Sequence, residues 1–191
     1  VHLIKNVKRE GIKVTCEVTP HHLFLTEDLF DHTYNTNLKV NPPLRTKRDA
    51  KALADALIAG TIDIIASEHA PHADYEKAYE FERAPFGMIG LETSFASVYT
   101  KLVKNKKMNW SKLVNAMAVK PREILGLEKV CIKKGSKANI SVFDVKQKWT
   151  VIGSELKSKS NNTGFEGMNL YGKASYVFVE GKAVLIDGAP A

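Results

Sequence analysis

Ile64-Ile65-Ala66-Ser67-Glu68-His69-Ala70-Pro71-His72 decides the reading of this chain. The run from Ile62 to Ala66, interrupted only by Asp63, has the character of a buried strand. It stops abruptly in a carboxylate, a histidine, a proline and a second histidine. In a barrel of parallel strands, side chains at the C-terminal ends of the strands face the active site. There Glu68 can hold a metal or move a proton, and His72 can grip a polar substrate. A strand followed by a polar loop and a helix cap is the plainer reading, and these nine residues alone leave both open.

The neighbouring segments supply the context. Val1 to Glu10 has Leu3, Ile4 and Val7 at helical spacing, and Gly11 suits the end of that helix. Lys13 to Thr19 is rich in Val and Thr and predicts a strand, which Pro20 stops. Residues 26 to 45 carry Asn35, Asn37, Asn41 and Pro42-Pro43 and predict a loop. Thr46 caps a helix running to about Ala59, with Leu53, Leu57 and Ile58 inward and Gly60 ending it. The strand Ile62 to Ala66 follows, then a polar loop from His69 to Pro85. Residues 88 to 104 predict a helix burying Ile89, Phe95, Val98, Tyr99 and Leu102. Another is expected from a Ser111 cap to Pro121, with Leu113, Val114 and Met117 inside. Helices and strands thus alternate as they do in a parallel sheet or barrel.

The pattern changes after Leu127. Short β-rich runs appear at Val130 to Ile132, Ile140 to Phe143, Trp149 to Ile152 and Ser175 to Val179. Val179-Glu180-Gly181-Lys182-Ala183-Val184 reads as two strands around a tight turn. These runs predict a small antiparallel sheet appended to the α/β part, with the division at residues 1–127 and 128–191.

Composition excludes several classes. Hydrophobic residues make up 44% and charged residues 26%, which fits a chain with a core and not a disordered one. No apolar run approaches a membrane span and no signal segment opens the chain. Cys16 and Cys131 show no metal-ligand spacing, and reduced thiols in a cytoplasmic protein are expected. The net charge of +7 comes largely from scattered lysines without interleaved aromatics, so a solvated surface is expected and not a nucleic-acid site. Residue 1 is valine, which suggests a fragment or a processed chain.

Six histidines invite a metal reading: His2, His21, His22, His32, His69 and His72. His21 and His22 are adjacent, so on a strand they would point to opposite faces and not share an ion. His2 and His32 are expected at the surface. A catalytic zinc site usually takes three protein ligands, and this sequence does not assemble them alone. Asn41 can donate and accept hydrogen bonds on a loop stiffened by Pro42 and Pro43, and Arg45 can clamp a carboxylate. Phe86 can cover a ligand and Gly87 lets backbone approach it. Each of these also fits an ordinary loop. There is no P-loop, Rossmann glycine fingerprint or nucleophile elbow.

Several motifs in register point further. Val14-Thr15-Cys16-Glu17-Val18-Thr19-Pro20-His21-His22-Leu23, Lys39-Val40-Asn41-Pro42-Pro43-Leu44-Arg45, Ile64 to His72, Ala84-Pro85-Phe86-Gly87, Gly90-Leu91-Glu92-Thr93 and Ser158-Lys159-Ser160-Asn161-Asn162-Thr163 follow one another over nearly the whole chain. Together they resemble the C-terminal portion of a class I (bacterial-type) dihydroorotase of the amidohydrolase superfamily. The resemblance implies the C-terminal part of a metal-dependent (β/α)8 TIM barrel, with the strands ending at Thr19 and near Ala66 as the seventh and eighth, plus the C-terminal strands of a small β-sandwich. It implies reversible cyclisation of N-carbamoyl-L-aspartate to dihydroorotate in pyrimidine biosynthesis, with one or two Zn2+ ions. Glu68 then takes the place of the catalytic, metal-binding carboxylate, and Asn41, His72 and the Phe86-Gly87 backbone take the places of substrate contacts.

Two departures from that pattern stand out. The family usually has aspartate where this chain has Glu68, and the extra methylene displaces the carboxylate by about 1.5 Å. The family's other metal ligands are absent and would lie upstream of Val1, so the isolated chain is expected to be inactive. The resemblance implies a small-molecule substrate, a cytoplasmic setting, and a homodimer or an association with aspartate carbamoyltransferase; no nucleic acid or membrane partner is expected. Two alternatives remain: a non-catalytic dihydroorotase-like subunit supporting aspartate carbamoyltransferase, and another cyclic amidohydrolase such as a hydantoinase or allantoinase.

Overall fold

The computed structural model describes residues 1–129 and 131–191. The α/β part is built on two short parallel strands. β1 (Glu17–Val18) lies beside β2 (Ile64–Ile65), with Glu17 opposite Ile64 and Val18 opposite Ile65. Backbone bonds from Asp63 N to Cys16 O (3.1 Å) and from Ala66 N to Val18 O (3.0 Å) extend the pairing at both ends. Both strands are shorter than the apolar runs predict. Each has a single partner among the described residues, so only the paired core of each run is held as a ladder.

Helices flank this pair. α1 (His2–Arg9) precedes β1 and is tied down by Lys8, whose Nζ donates to Asp63 Oδ2 (2.6 Å) and Thr61 O (2.8 Å). Leu3, expected inward, is exposed; Ile4 and Val7 are half-buried. α2 (Pro20–Phe24) starts directly after β1, with the Thr19 hydroxyl accepting from His22 N and Pro20 in the first turn, where a missing N–H interrupts nothing. α3 (Lys47–Ala59) carries the expected Thr46 cap, completed by Asp49 as a capping box, and ends at Gly60. α4 (Asp74–Lys77) is a short helix inside the stretch that reads as a loop.

α5 (Leu91–Val98) continues through a widened turn over Tyr99–Val103. The next helix departs from expectation at both ends. Asn109 caps α6 (Trp110–Val114), its Oδ1 accepting from Lys112 N (2.9 Å), so Ser111 lies inside the first turn. Pro121 does not end the helical path. After a second widened turn, Asn115–Val119, it sits in the first turn of α7 (Lys120–Ile124). Val114, expected inside, is exposed.

The tail forms the expected antiparallel sheet. β3 (Ile140–Thr150), β4 (Asn169–Val179), β5 (Lys182–Ile186) and β6 (Ala189–Pro190) lie in that order. β3 fuses most of two runs that read as separate, because irregularities near Val142 and between Asp144 and Lys148 absorb the break. A tight turn at Glu180 and Gly181 joins β4 to β5, as the sequence predicts. In the expected run Val130 to Ile132, Val130 lies outside the described residues, and Cys131 and Ile132 are not in a strand.

Two apolar cores hold these parts together. One gathers Val18, Leu57, Ile62, Ile65, Val98 and Leu102 between the short strands and the helices. The other joins Leu25, Leu38, Val40, Leu44 and Met88 to Val151, Phe165 and Leu170 of the tail. Phe95 of α5 stacks on Phe143 of β3 with ring centroids 3.7 Å apart. The β-rich tail is therefore packed into the rest of the chain. Phe165→Ala is expected to cost about 3–5 kcal/mol, as for truncation of other fully buried aromatics. Urea unfolding measures this, and a loss under about 1 kcal/mol would mean that Phe165 is not part of a shared core.

Candidate active site

Glu68 stands three residues past the end of β2. Its backbone is left-handed (φ 47°), an uncommon conformation for a non-glycine residue. Its side chain is exposed, and no hydrogen bond or ion pair engages its carboxylate among the described residues. A strained, unspent carboxylate at a strand end is where functional strain is commonly stored. The chain then returns to extended pairing: His69 bridges Met88, and Ala70 N donates to Met88 O (3.0 Å). His69 Nδ1 accepts from Gly90 N (3.1 Å) and Leu91 N (3.4 Å), so this histidine caps α5. Gly90 is required there, since a Cβ would lie 2.6 Å from Ser67 O.

The next residues form a compact polar cluster. His72 Nε2 donates to Phe86 O (3.0 Å), and its Nδ1 lies 3.6 Å from Glu76 Oε2. Gly87 has φ 123°, and an added Cβ would meet Ala70 Cβ at 2.5 Å and His72 Nε2 at 3.4 Å. Only glycine fits both the conformation and the space. His72, Phe86 and Gly87 are thus brought together. Asn41 is exposed on its own loop, and the link to it is indirect: Gly87 N donates to Lys39 O (2.8 Å), two residues before Asn41.

Two residues that the sequence did not single out individually hold this cluster. Ser160 and Asn162 are buried. Both Ser160 Oγ and Asn162 Oδ1 accept from His72 N (3.2 Å each), and the Ser160 hydroxyl lies against His72 O. Asn162 Nδ2 donates to Ala70 O (3.0 Å) and Gly87 O (3.2 Å), and Asn162 O accepts from Ile89 N (3.0 Å). The Ser158–Thr163 motif marked the segment, but a polar run of this kind carries no sign of burial. Lys39 and Lys77 were missed for the same reason; both are buried and hydrogen-bonded to backbone carbonyls.

His21 and His22 lie on α2 and not on a strand, with ring centroids 4.5 Å apart. His22 spends both ring nitrogens: Nε2 donates to Pro42 O (2.7 Å), which leaves Nδ1 to accept from the Thr19 hydroxyl (2.7 Å). His22 thereby fixes the start of the Pro42-Pro43 loop. His21 is buried, and burial first, then its neighbour His22, pushes its pKa down to about 3.

Among the described residues, no three His, Cys, Asp or Glu side chains converge as metal ligands. The zinc implied by the resemblance does not fit these residues as a complete site. His22 is committed to Thr19 and Pro42 and His69 caps α5, while the Glu68 carboxylate has no partner among the described residues.

Comparison places the paired strands and the attached sheet in an amidohydrolase-type α/β barrel portion. The amidohydrolase family model matches residues 3–184, and the chain belongs to that family. Curated relatives named dihydroorotase include those of Elusimicrobium minutum (44% identical over 97% of this chain and 43% of the relative), Macrococcus caseolyticus (43% over 100% and 45%) and Carboxydothermus hydrogenoformans (51% over 90% and 40%). The chain spans less than half the length of these relatives. Among solved structures, D-hydantoinase (dihydropyrimidinase) from Thermus sp. superposes with a TM-score of 0.89 at 26% identity, and L-hydantoinase (dihydropyrimidinase) from Arthrobacter aurescens with 0.89 at 28%; each covers 100% of this chain and 43% of that structure.

The depressed pKa of His21 sets a pH dependence. A histidine whose folded pKa lies below its unfolded value contributes stability that is full above the unfolded pKa and is lost as pH falls towards the folded one. For His21 that window runs from the ordinary 6.5 down to about 3. Circular dichroism in urea across this range should show His21→Leu flattening the loss. An unchanged pH slope would show that the ring is not held neutral by the fold.

Proposed function

We propose that this chain is the C-terminal portion of a zinc-dependent dihydroorotase, which interconverts N-carbamoyl-L-aspartate and dihydroorotate in pyrimidine biosynthesis. The strongest support is identity of 43–51% along the chain to relatives that carry that name. The hydantoinase structures share the fold at lower identity, 26–28% for the two compared above, so the dihydroorotase reading takes precedence. In this reading residues 1–127 belong to the barrel and 128–191 to the β-sandwich. A cytoplasmic setting is part of this reading and rests on it alone; no helix among the described residues is long and apolar enough to cross a membrane.

Opening the dihydroorotate ring requires one proton to leave the attacking water and one to reach the departing amide nitrogen. Glu68 is the residue proposed to carry it, since a carboxylate can take a proton and return it. Glu68 is also this chain's proposed contribution to the zinc site, and the remaining ligands would come from residues outside these 191. His72, Asn41 and the Phe86-Gly87 backbone are proposed as substrate contacts. The bond from His72 to Phe86 O orients the imidazole, and Gly87 keeps space open beside it.

The intact protein tests this reading. Glu68→Gln should lower turnover of dihydroorotate by at least about a hundredfold without changing the fold, while Glu68→Asp should keep or raise activity. His72→Ala should lower kcat/KM by about ten- to a hundredfold, the worth of a lost charge-assisted bond. The 191-residue chain by itself, supplied with zinc, should not turn over. Turnover by the chain alone, or full activity in Glu68→Gln, would overturn the assignment.

A further inference from the structure

Lys39 and Lys77 are 7% and 8% exposed, and among the described residues neither has a carboxylate partner. Lys39 Nζ donates to Glu82 O (3.0 Å) and Ala84 O (2.6 Å), while Lys77 Nζ donates to Thr36 O (2.9 Å) and Pro85 O (2.9 Å). The Thr36 hydroxyl returns a bond to Lys77 O (2.5 Å), and Lys39 O receives the Gly87 amide (2.8 Å). The rings of Phe86 and Phe81 face Lys39 Nζ at 4.5 and 5.4 Å. Two ammonium groups thus tie the carbonyls of residues 82, 84 and 85 to the loop that runs into Asn41.

A buried ammonium is costly unless it is paired. Carbonyl dipoles and ring faces replace lost water but carry no net charge, so two positive charges remain inside the wall that presents Phe86 and Gly87. The acids on the elements around Lys77 are otherwise placed. Glu76 accepts from Ala73 N and faces His72, Glu80 pairs with Arg83 (3.5 Å), and Asp74 and Glu82 are exposed. Burial, then the charge of Lys39, brings the Lys77 pKa from 10.5 down to about 8. An uncancelled charge of this kind attracts an anion, and the field is strongest where water is excluded.

Resting on the dihydroorotase reading, we infer that Lys39 and Lys77 are positioning residues: they hold the Phe86–Gly87 wall against the Asn41 loop, and their charges favour a cyclic ureide bearing a carboxylate over a neutral one. Neither touches the reacting atoms in this reading.

The test compares wild type, Lys77→Met and Lys77→Arg of the intact protein with dihydroorotate and with neutral dihydrouracil. Lys77→Met should raise KM for dihydroorotate about tenfold and KM for dihydrouracil by less than about threefold, with kcat changed by less than about twofold, while Lys77→Arg should stay within about threefold of wild type. Wild-type KM for dihydroorotate should rise above about pH 8 as Lys77 loses its proton. Stability should also rise with pH between about 8 and 10.5, because there the unfolded lysine holds the proton better than the folded one. Lys77→Met should lose both trends. A folded Lys77→Met with unchanged KM, or with equal changes for both substrates, overturns the inference. Lys39→Met carries the same kinetic expectation if Lys77→Met does not fold. If wild type does not turn over dihydroorotate, the dihydroorotase reading fails by itself. Exchange of the Gly87 amide then decides the positioning role: at least about tenfold faster exchange in Lys77→Met supports it, and unchanged exchange overturns it.

Discussion

The side chain of Asn162 is the interaction on which the rest of the site depends. One amide group accepts from His72 N and donates to Ala70 O and Gly87 O, so it joins three backbone points from two loops. Its carbonyl and amino ends are both used, and the group is buried. Loss of either end would leave buried backbone groups without partners, which costs more than the bond itself gains. Ser160 duplicates part of the task at His72. The loop after β2 has almost no regular structure of its own, so this strap substitutes for a ladder.

A second constraint works from the opposite side. Gly87 must pass close to Ala70 and His72, and the backbone before it is pinned by lysine ammonium groups and not by a sheet. Apolar packing lies beneath both: Met88 follows Gly87 immediately and is buried beside Leu25 and Phe165. The order of causes runs from core to loop. Phe165 and Met88 fix the height of the segment, Asn162 fixes its neighbours, and the lysines fix its approach to Asn41.

Much of this architecture is legible in the sequence, for reasons that differ by element. α3 reads correctly at both ends because Thr46 and Gly60 are local signals with local consequences. The hairpin at Glu180-Gly181 reads correctly for the same reason. Misreadings occur where tertiary packing decides. Ser111 is a good cap, but Asn109 reaches Lys112 N first. Pro121 usually stops a helix, yet a widened turn before it restarts the path. Glu68, His72, Phe86 and Gly87 stand out as candidates in the sequence because their residue types are unusual in that order. Lys39, Lys77, Ser160 and Asn162 were individually invisible, because lysine, serine and asparagine are ordinarily solvated and burial is a property of the whole fold.

The strap also has a consequence in time. Ser160 and Asn162 meet residues 75 to 92 positions earlier in the chain. Contacts of such long separation form late, because a large loop must close before they yield any free energy. During synthesis, the loop bearing Glu68 and His72 leaves the ribosome long before its support does. For that interval the polypeptide holds the ingredients of a site without its geometry. The segment that completes the geometry of this loop is thus the last of its parts to be made.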